Sequence, residues 1–201
     1  MRENILKFVK LCANTLPLKD PVYEFGALQV PGQEGFADLR PIFQDRKYVG
    51  TDMREGPGVD KVINLHNMKL LSKSIGTALI LDTIEHVEFP RRAVENIHKT
   101  LKKNGFIIIS SHMNFPIHGH PNDYWRFTPE GLKSLLKPFK SIFVDSEGDP
   151  EFPHSVFGFA CKGKIQQDSM EKFTKEYEKL KWWWKKVEEK IKKDRTKVYK
   201  K

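Results

Sequence analysis

The chain has 201 residues, 39% of them hydrophobic, and a formal charge of +9. That length supports one sizeable core with a tail; the 14 phenylalanines argue against disorder, and no apolar run approaches the roughly 18 residues of a membrane span. The only two cysteines, Cys12 and Cys161, lack CxxC or zinc-ligand spacing, so neither a disulfide framework nor a thiolate metal site is indicated, and a reducing cytoplasm is the simplest location.

At the N-terminus, Ile5, Phe8, Val9 and Cys12 fall at helical spacing. They predict an amphipathic helix, broken by charges and unlike a signal peptide, which would cover a sheet edge or a cofactor. After the Pro17 to Pro21 turn, Val22 to Phe25 runs into Gly26 and reads as a buried first strand. Phe36, Leu39, Ile42 and Phe43 predict a helix that Pro41 shortens or kinks. Lys47 to Asp52 is the second strand, Val59 to Leu65 a short third, and Thr77 to Asp82 a fourth with the unbroken hydrophobicity of a parallel interior strand.

Pro90 opens a helix with Ala93, Val94, Ile97, His98 and Leu101 on one stripe, and Asn104-Gly105 is expected to stop it. Phe106 to Ser110 is the fifth strand, completing a strand-helix-strand unit that demands a largely parallel sheet. Thr128 and Pro129 are placed to start a further helix with Leu132, Leu135, Leu136 and Phe139 inward. Ser141 to Val144 and Ser155 to Cys161 predict an antiparallel pair at the end of the sheet.

Beyond Gly163, Phe173, Tyr177, Leu180, Trp184, Val187 and Ile191 alternate four and three residues apart, the spacing of a coiled-coil seam. Lys179, Lys181, Lys185, Lys186, Lys190, Lys192 and Lys193 surround that seam, while Trp182 and Trp183 lie off it. A solvated lysine face packed back on its own domain accounts for this composition. A contact with nucleic acid, an anionic membrane, a protein partner or a second copy in a homodimer accounts for it too.

In an open α/β sheet, ligands bind beyond the carboxyl ends of the strands. Gly26 lets the backbone turn sharply after strand one, and Asp52, ending strand two, is a carboxylate able to accept from two ribose hydroxyls. No GxGxxG phosphate loop follows: Gly26 precedes Ala27, Leu28, Gln29, Val30 and Pro31, so a phosphate-free adenosine cofactor fits better than a dinucleotide.

Taken together, Tyr23-Glu24-Phe25-Gly26, Val49-Gly50-Thr51-Asp52, Leu81 to Val87, Leu101 to Phe106 and Asp123 to Gly131 resemble class I S-adenosylmethionine-dependent methyltransferases, particularly the methyltransferase type 11 group. The resemblance spans residues 20 to 163 and implies a Rossmann-like, doubly wound, mostly parallel seven-stranded sheet with one antiparallel strand. By position it implies Glu24 and Gly26 at the amino-acid and sulfonium part of the cofactor, Asp52 at the ribose, and Met53, Asn64 and Leu65 near the adenine. Asp82 and Thr83 fall at the methionine end. Two positions depart from the pattern: Leu28 stands where a second glycine is expected, in the cofactor loop, and Asn64 replaces a common carboxylate. The chain then divides into a methyltransferase domain with its N-terminal helix, residues 1–164, and a basic amphipathic helix, residues 165–201.

The segment from Ser111 to Arg126 follows strand five and is placed to roof the site. His112, His120, Tyr124, Trp125 and Arg126 are its candidate acceptor-binding residues. The spacing of His112, His118 and His120 matches no metal signature, so no metal is assigned. Where an acceptor must lose a proton, His86 and His118 are candidate bases because imidazole titrates near neutrality, with Asp123 as an orienting carboxylate. The expected activity is methyl transfer to an oxygen or nitrogen of a small-molecule or glycan-type acceptor. The alternative is a catalytically silent binding module that acts through its basic tail.

Overall fold

The computed structural model describes residues 3–30, 32, 35, 37–119 and 121–198, with side chains on the last helix described as far as Val187. Two compact units are present: the first spans Leu18–Ile165, and the second contains the two terminal helices.

The first unit is built on a seven-stranded sheet ordered β3-β2-β1-β4-β5-β7-β6. Its strands are β1 (Val22–Phe25), β2 (Tyr48–Asp52), β3 (Lys61–Val62), β4 (Ile75–Leu81), β5 (Leu101–His112), β6 (Ser141–Gly148) and β7 (Pro153–Cys161). Every residue of β1 and β4 is buried, as strands covered on both faces require. β1 to β5 pair in parallel, whereas β7 runs antiparallel to both β5 and β6, so a single strand opposes the other six. The fold is therefore the Rossmann-like, mostly parallel sheet the sequence implies. Strand order turns back between β1 and β4, which places the ligand crevice over Gly26 and Asp82.

Several local expectations change. No α-helix forms among the described residues between β1 and β2; Arg40–Ile42 makes one 3₁₀ turn with Pro41 at its start, and Phe36 lies outside the described residues. Proline lacks the N–H that a continuing helix needs, and Arg40 instead holds the segment by donating to Gly58 O and Asp60 Oδ2, both at 3.0 Å. The third strand shrinks to two exposed residues because Asn64 caps a 3₁₀ turn over Leu65–Asn67. Helix α2 (Pro90–Thr100) stops before the expected Asn104-Gly105 signal. Asn104 does adopt a left-handed φ of 58°, but inside the register shift where β5 joins β4.

Helix α3 (Pro129–Leu135) starts as its sequence indicates, with Thr128 Oγ1 accepting from Gly131 N at 3.0 Å. Leu132, Leu135, Leu136 and Phe139 are buried in the same cluster as Ala93, Val94 and Ile97 of α2 and Ile80 and Ile109 of the sheet.

In the second unit, α1 (Glu3–Thr15) packs against α4 (Gln167–Val198). Phe8 meets the rings of Phe173 and Tyr177, each at 6.3 Å and edge-on, a geometry favoured by the aromatic quadrupole. Phe173, Tyr177 and Trp184 are buried, so the first part of the apolar seam is covered within this unit; the side chain of Ile191 lies outside the described residues. No described helix is long and apolar enough to cross a membrane.

Ile109 is fully buried between Ile80 of β4 and Gly158 of β7. Replacing it by alanine is expected to cost about 2–5 kcal/mol in urea unfolding; a cost below about 1 kcal/mol would contradict its central position.

Candidate functional site

Beyond the carboxyl ends of β1, β2, β4 and β5 lies a cavity of about 420 Å³, within the size range of small-ligand sites. All nine residues assigned from sequence to cofactor binding line it: Glu24, Gly26, Leu28, Asp52, Met53, Asn64, Leu65, Asp82 and Thr83. His86, His112 and His118 line it as well. His120 lies outside the described residues.

Gly26 has φ +91°, and a Cβ there would sit 2.1 Å from Thr83 Oγ1. The loop after β1 therefore touches the loop after β4 at a point where only glycine fits. Asp52 is buried and its Oδ1 accepts from Arg54 N at 3.0 Å. Asn64 turns Oδ1 toward its own loop, accepting from His66 N at 2.9 Å. Leu28 approaches Gly56, where an added Cβ would meet Leu28 Cδ1 at 2.4 Å, so the residue in place of the second glycine packs against the loop after β2.

Asp82 adopts a left-handed φ of 47°, held by β5: Ser110 Oγ donates to Asp82 Oδ1 at 2.7 Å, and Asp82 N donates to Ser110 O at 3.1 Å. Asp82 Oδ2 is buried with no hydrogen-bond partner among the described residues. Unsatisfied buried carboxylate oxygens are costly, and one on a residue that lines this cavity fits a ligand that brings a donor or a positive charge. Glu24, also buried, accepts a short hydrogen bond from Tyr48 Oη. Burial pushes its pKa up to about 7, against the opposing effect of the Tyr48 bond.

Glu85, Tyr48, Ser110, Ser111 and Phe115 contribute to this region without having been singled out as site residues from sequence. Glu85 is fully buried and accepts from Ser111 Oγ at 2.9 Å. Burial first, and the neighbouring Asp82 charge second, raise its pKa. The available signal was a carboxylate three residues after Asp82, flanked by Ile84 and His86. Its backbone carbonyl accepts from Tyr124 N at 2.9 Å and Trp125 N at 3.2 Å, tying the loop of residues 113–127 to the cavity wall.

Within that loop, Arg126 Nη1 and Nη2 grip Asp123 Oδ1 and Oδ2 at 2.5 and 2.7 Å. The Arg126 hydrogen bonds hold the Asp123 carboxyl well below the usual range. Asp123 Oδ2 lies 3.2 Å from His118 Nδ1 and accepts from His118 N at 2.7 Å. His86 Nδ1 lies 2.5 Å from Asn122 O, and its ring meets His118 edge-on at 4.8 Å. The other loop candidates sit behind this group: Tyr124, Trp125 and Arg126 do not line the cavity. Trp125 Nε1 donates to Val87 O at 3.0 Å, Tyr124 Oη accepts from Asn122 Nδ2 at 2.9 Å, and Arg126 donates to Phe115 O and Pro116 O. In this arrangement Arg126 shapes the loop.

The sheet order and the cavity at its switch point are those of a Rossmann-like ligand-binding fold. Residues 47–109 match the model of a methyltransferase domain, that of the type 11 group. Solved structures of similar fold include 1,6-didemethyltoxoflavin-N1-methyltransferase of Burkholderia thailandensis, at 15% identity, with 81% of this chain and 79% of that one covered and a TM-score of 0.59. An S-adenosylmethionine-dependent methyltransferase of Archaeoglobus fulgidus is similar at 15% identity over 78% of this chain and 94% of that one, with a TM-score of 0.57. The [4+2]-cyclase SpnF is similar at 12% identity over 79% of this chain and 80% of that one, also at 0.57. No curated protein matches the chain by sequence.

The raised pKa of Glu24 has a defined linkage. A carboxyl that moves from 4.5 to about 7 on folding stabilises the fold fully below pH 4.5, and that contribution is lost as pH rises through 7. Glu24→Gln retains an acceptor for Tyr48 and removes the titration. Its unfolding free energy is expected to vary less between pH 4.5 and 7.5 than that of the parent, by a difference on the order of 3 kcal/mol; identical profiles would place the Glu24 carboxylate in solvent.

Proposed function

We propose that the protein is an S-adenosylmethionine-dependent methyltransferase acting on an oxygen or nitrogen of a small-molecule or glycan-type acceptor. The observation that carries this reading is the convergence of Glu24, Asp52 and Asp82 on one cavity across the switch point, around a glycine that admits no side chain. A fold shared with a cyclase does not by itself specify chemistry; the matched methyltransferase domain supports transfer. When bound, S-adenosylmethionine supplies a methyl group already activated by sulfonium charge.

The protein's part is to orient and to exclude water. Asp52 is placed to accept from a ribose diol, and the Asp82 and Glu24 carboxyls line the region implied for the cationic end of the cofactor. Hydrogen bonding of His86 Nδ1 to Asn122 O makes Nε2 its basic nitrogen, suited to taking a proton from an acceptor. Phe115, stacked on His112 at 4.4 Å, adds an apolar wall beside these polar groups. The buried thiols Cys12 and Cys161 support placement in a reducing cytoplasm.

Calorimetric titration with S-adenosylmethionine and with its demethylated product is expected to show saturable binding that Asp52→Ala weakens at least about tenfold, or about 1.4 kcal/mol. A folded protein that binds neither ligand would overturn the methyltransferase reading.

A second role is favoured by the helical unit, where Trp182 remains 63% exposed beside the exposed Lys181, Lys185 and Lys186. Exposed tryptophan among lysines suits an anionic membrane surface. Trp182→Ala is expected to reduce sedimentation with phosphatidylserine vesicles while leaving cofactor binding intact; unchanged sedimentation, or binding to RNA alone, would contradict this role.

A further inference from the structure

We propose that Glu85, His112 and His118 form a binding site for a divalent first-row metal ion at the inner end of the cleft. The three residues come from different elements: the 3₁₀ turn Ile84–His86 after β4, the last residue of β5, and the loop that follows. One ring nitrogen of each histidine and one carboxylate oxygen of Glu85 lie within 4.8 Å of one another. Donors bound at about 2.0–2.2 Å to one ion stand roughly 3.0–3.5 Å apart, so closure requires movements of a few tenths of an ångström to about one ångström. Two imidazoles and a carboxylate form the donor set that holds iron or zinc while leaving positions open.

Two further observations point to an occupant. Glu85 Oε1 and Asp82 Oδ2 have no hydrogen-bond partner among the described residues, and their side chains are 0% and 8% exposed. Both oxygens face His112 Nε2, at 3.6 and 3.9 Å, distances too long for hydrogen bonds and suited to groups drawn toward a shared cation. His118 also carries the support typical of a ligating histidine. Its Nδ1 is hydrogen-bonded to Pro116 O at 3.1 Å and lies 3.2 Å from Asp123 Oδ2, and Asp123 is itself clamped by Arg126; a carbonyl and a carboxylate behind an imidazole fix the tautomer and orientation for metal binding.

The role of such an ion rests on the methyltransferase reading, whereas its binding does not. An open coordination position beside the cofactor region would take a hydroxyl oxygen of the acceptor and ease loss of its proton to solvent. The acceptor class is then an alcohol or phenol able to ligate a metal through oxygen.

The test uses the full-length chain, stripped with chelator and titrated with Mn²⁺ by electron paramagnetic resonance and with Zn²⁺ by calorimetry, with and without S-adenosylmethionine. One ion per chain is expected, weakened about 100-fold or more by Glu85→Gln or His112→Ala. His118→Ala, at a side chain 23% exposed, provides a variant whose folding is less at risk and should show the same loss. Asp123→Asn should weaken binding about tenfold or more. Absence of saturable binding by either ion, or equal affinity in the parent and His118→Ala, would overturn the site. Cofactor binding without an ion also rejects it while sparing the methyltransferase reading; ion binding without cofactor supports the site and rejects that reading.

Discussion

The site depends on the parallel register of β4 with β5, in which Leu81 stands opposite Ser110. That single alignment puts Asp82 within reach of the Ser110 hydroxyl and Glu85 within reach of Ser111. Side chains alternate across a strand, so two consecutive serines serve two different carboxylates. A slip of one residue would exchange the two serines between faces and leave both carboxylates without these donors. The apolar interior fixes the register, because Leu79, Ile80, Ile107, Ile108 and Ile109 are all fully buried.

Upon this alignment rests a cluster of buried carboxyl groups. Glu24, Asp52 and Glu85 are among the buried charged residues, and the Asp82 side chain is 8% exposed. Burying carboxylates costs free energy unless donors or cations meet them. The protein supplies Tyr48, Ser110, Ser111 and the Arg54 backbone, but one oxygen each of Asp82 and Glu85 has no hydrogen-bond partner among the described residues. A cleft so arranged suits cationic occupants: a sulfonium cofactor at one end and, on the inference above, a metal ion at the other.

The loop of residues 113–127 shows how polar groups divide between shaping a site and facing its contents. Composition alone makes its histidines, aromatics and Arg126 look equivalent as acceptor-binding groups. In the folded chain Arg126 directs its guanidinium to Asp123 and to three carbonyls of the same loop, and Trp125 reaches back to Val87. His112 and His118 remain on the cavity wall. Both sets were legible as polar or aromatic; their directions were not, because those depend on hydrogen bonds to Glu85 and Val87 in a different part of the chain.

The sequence by itself determined the sheet and the positions of its polar strand ends. Continuous apolar runs, Thr128-Pro129 at a helix start, and Gly26, Asp52 and Asp82 after successive strands are local signals, and local physics of burial, capping and turn geometry makes them readable. It also overstated what local pattern can deliver: the stripe through Leu39 and Phe43 was buried without becoming a helix, because Pro41 and the Arg40 contacts with Gly58 and Asp60 favour a tight turn. Only the tertiary structure decided that Glu85 stands 3.6 Å from His112 and that Asp123 backs His118. The first encounter joins a turn to a strand end remote in sequence, and the force that joins them is burial of the sheet that both extend.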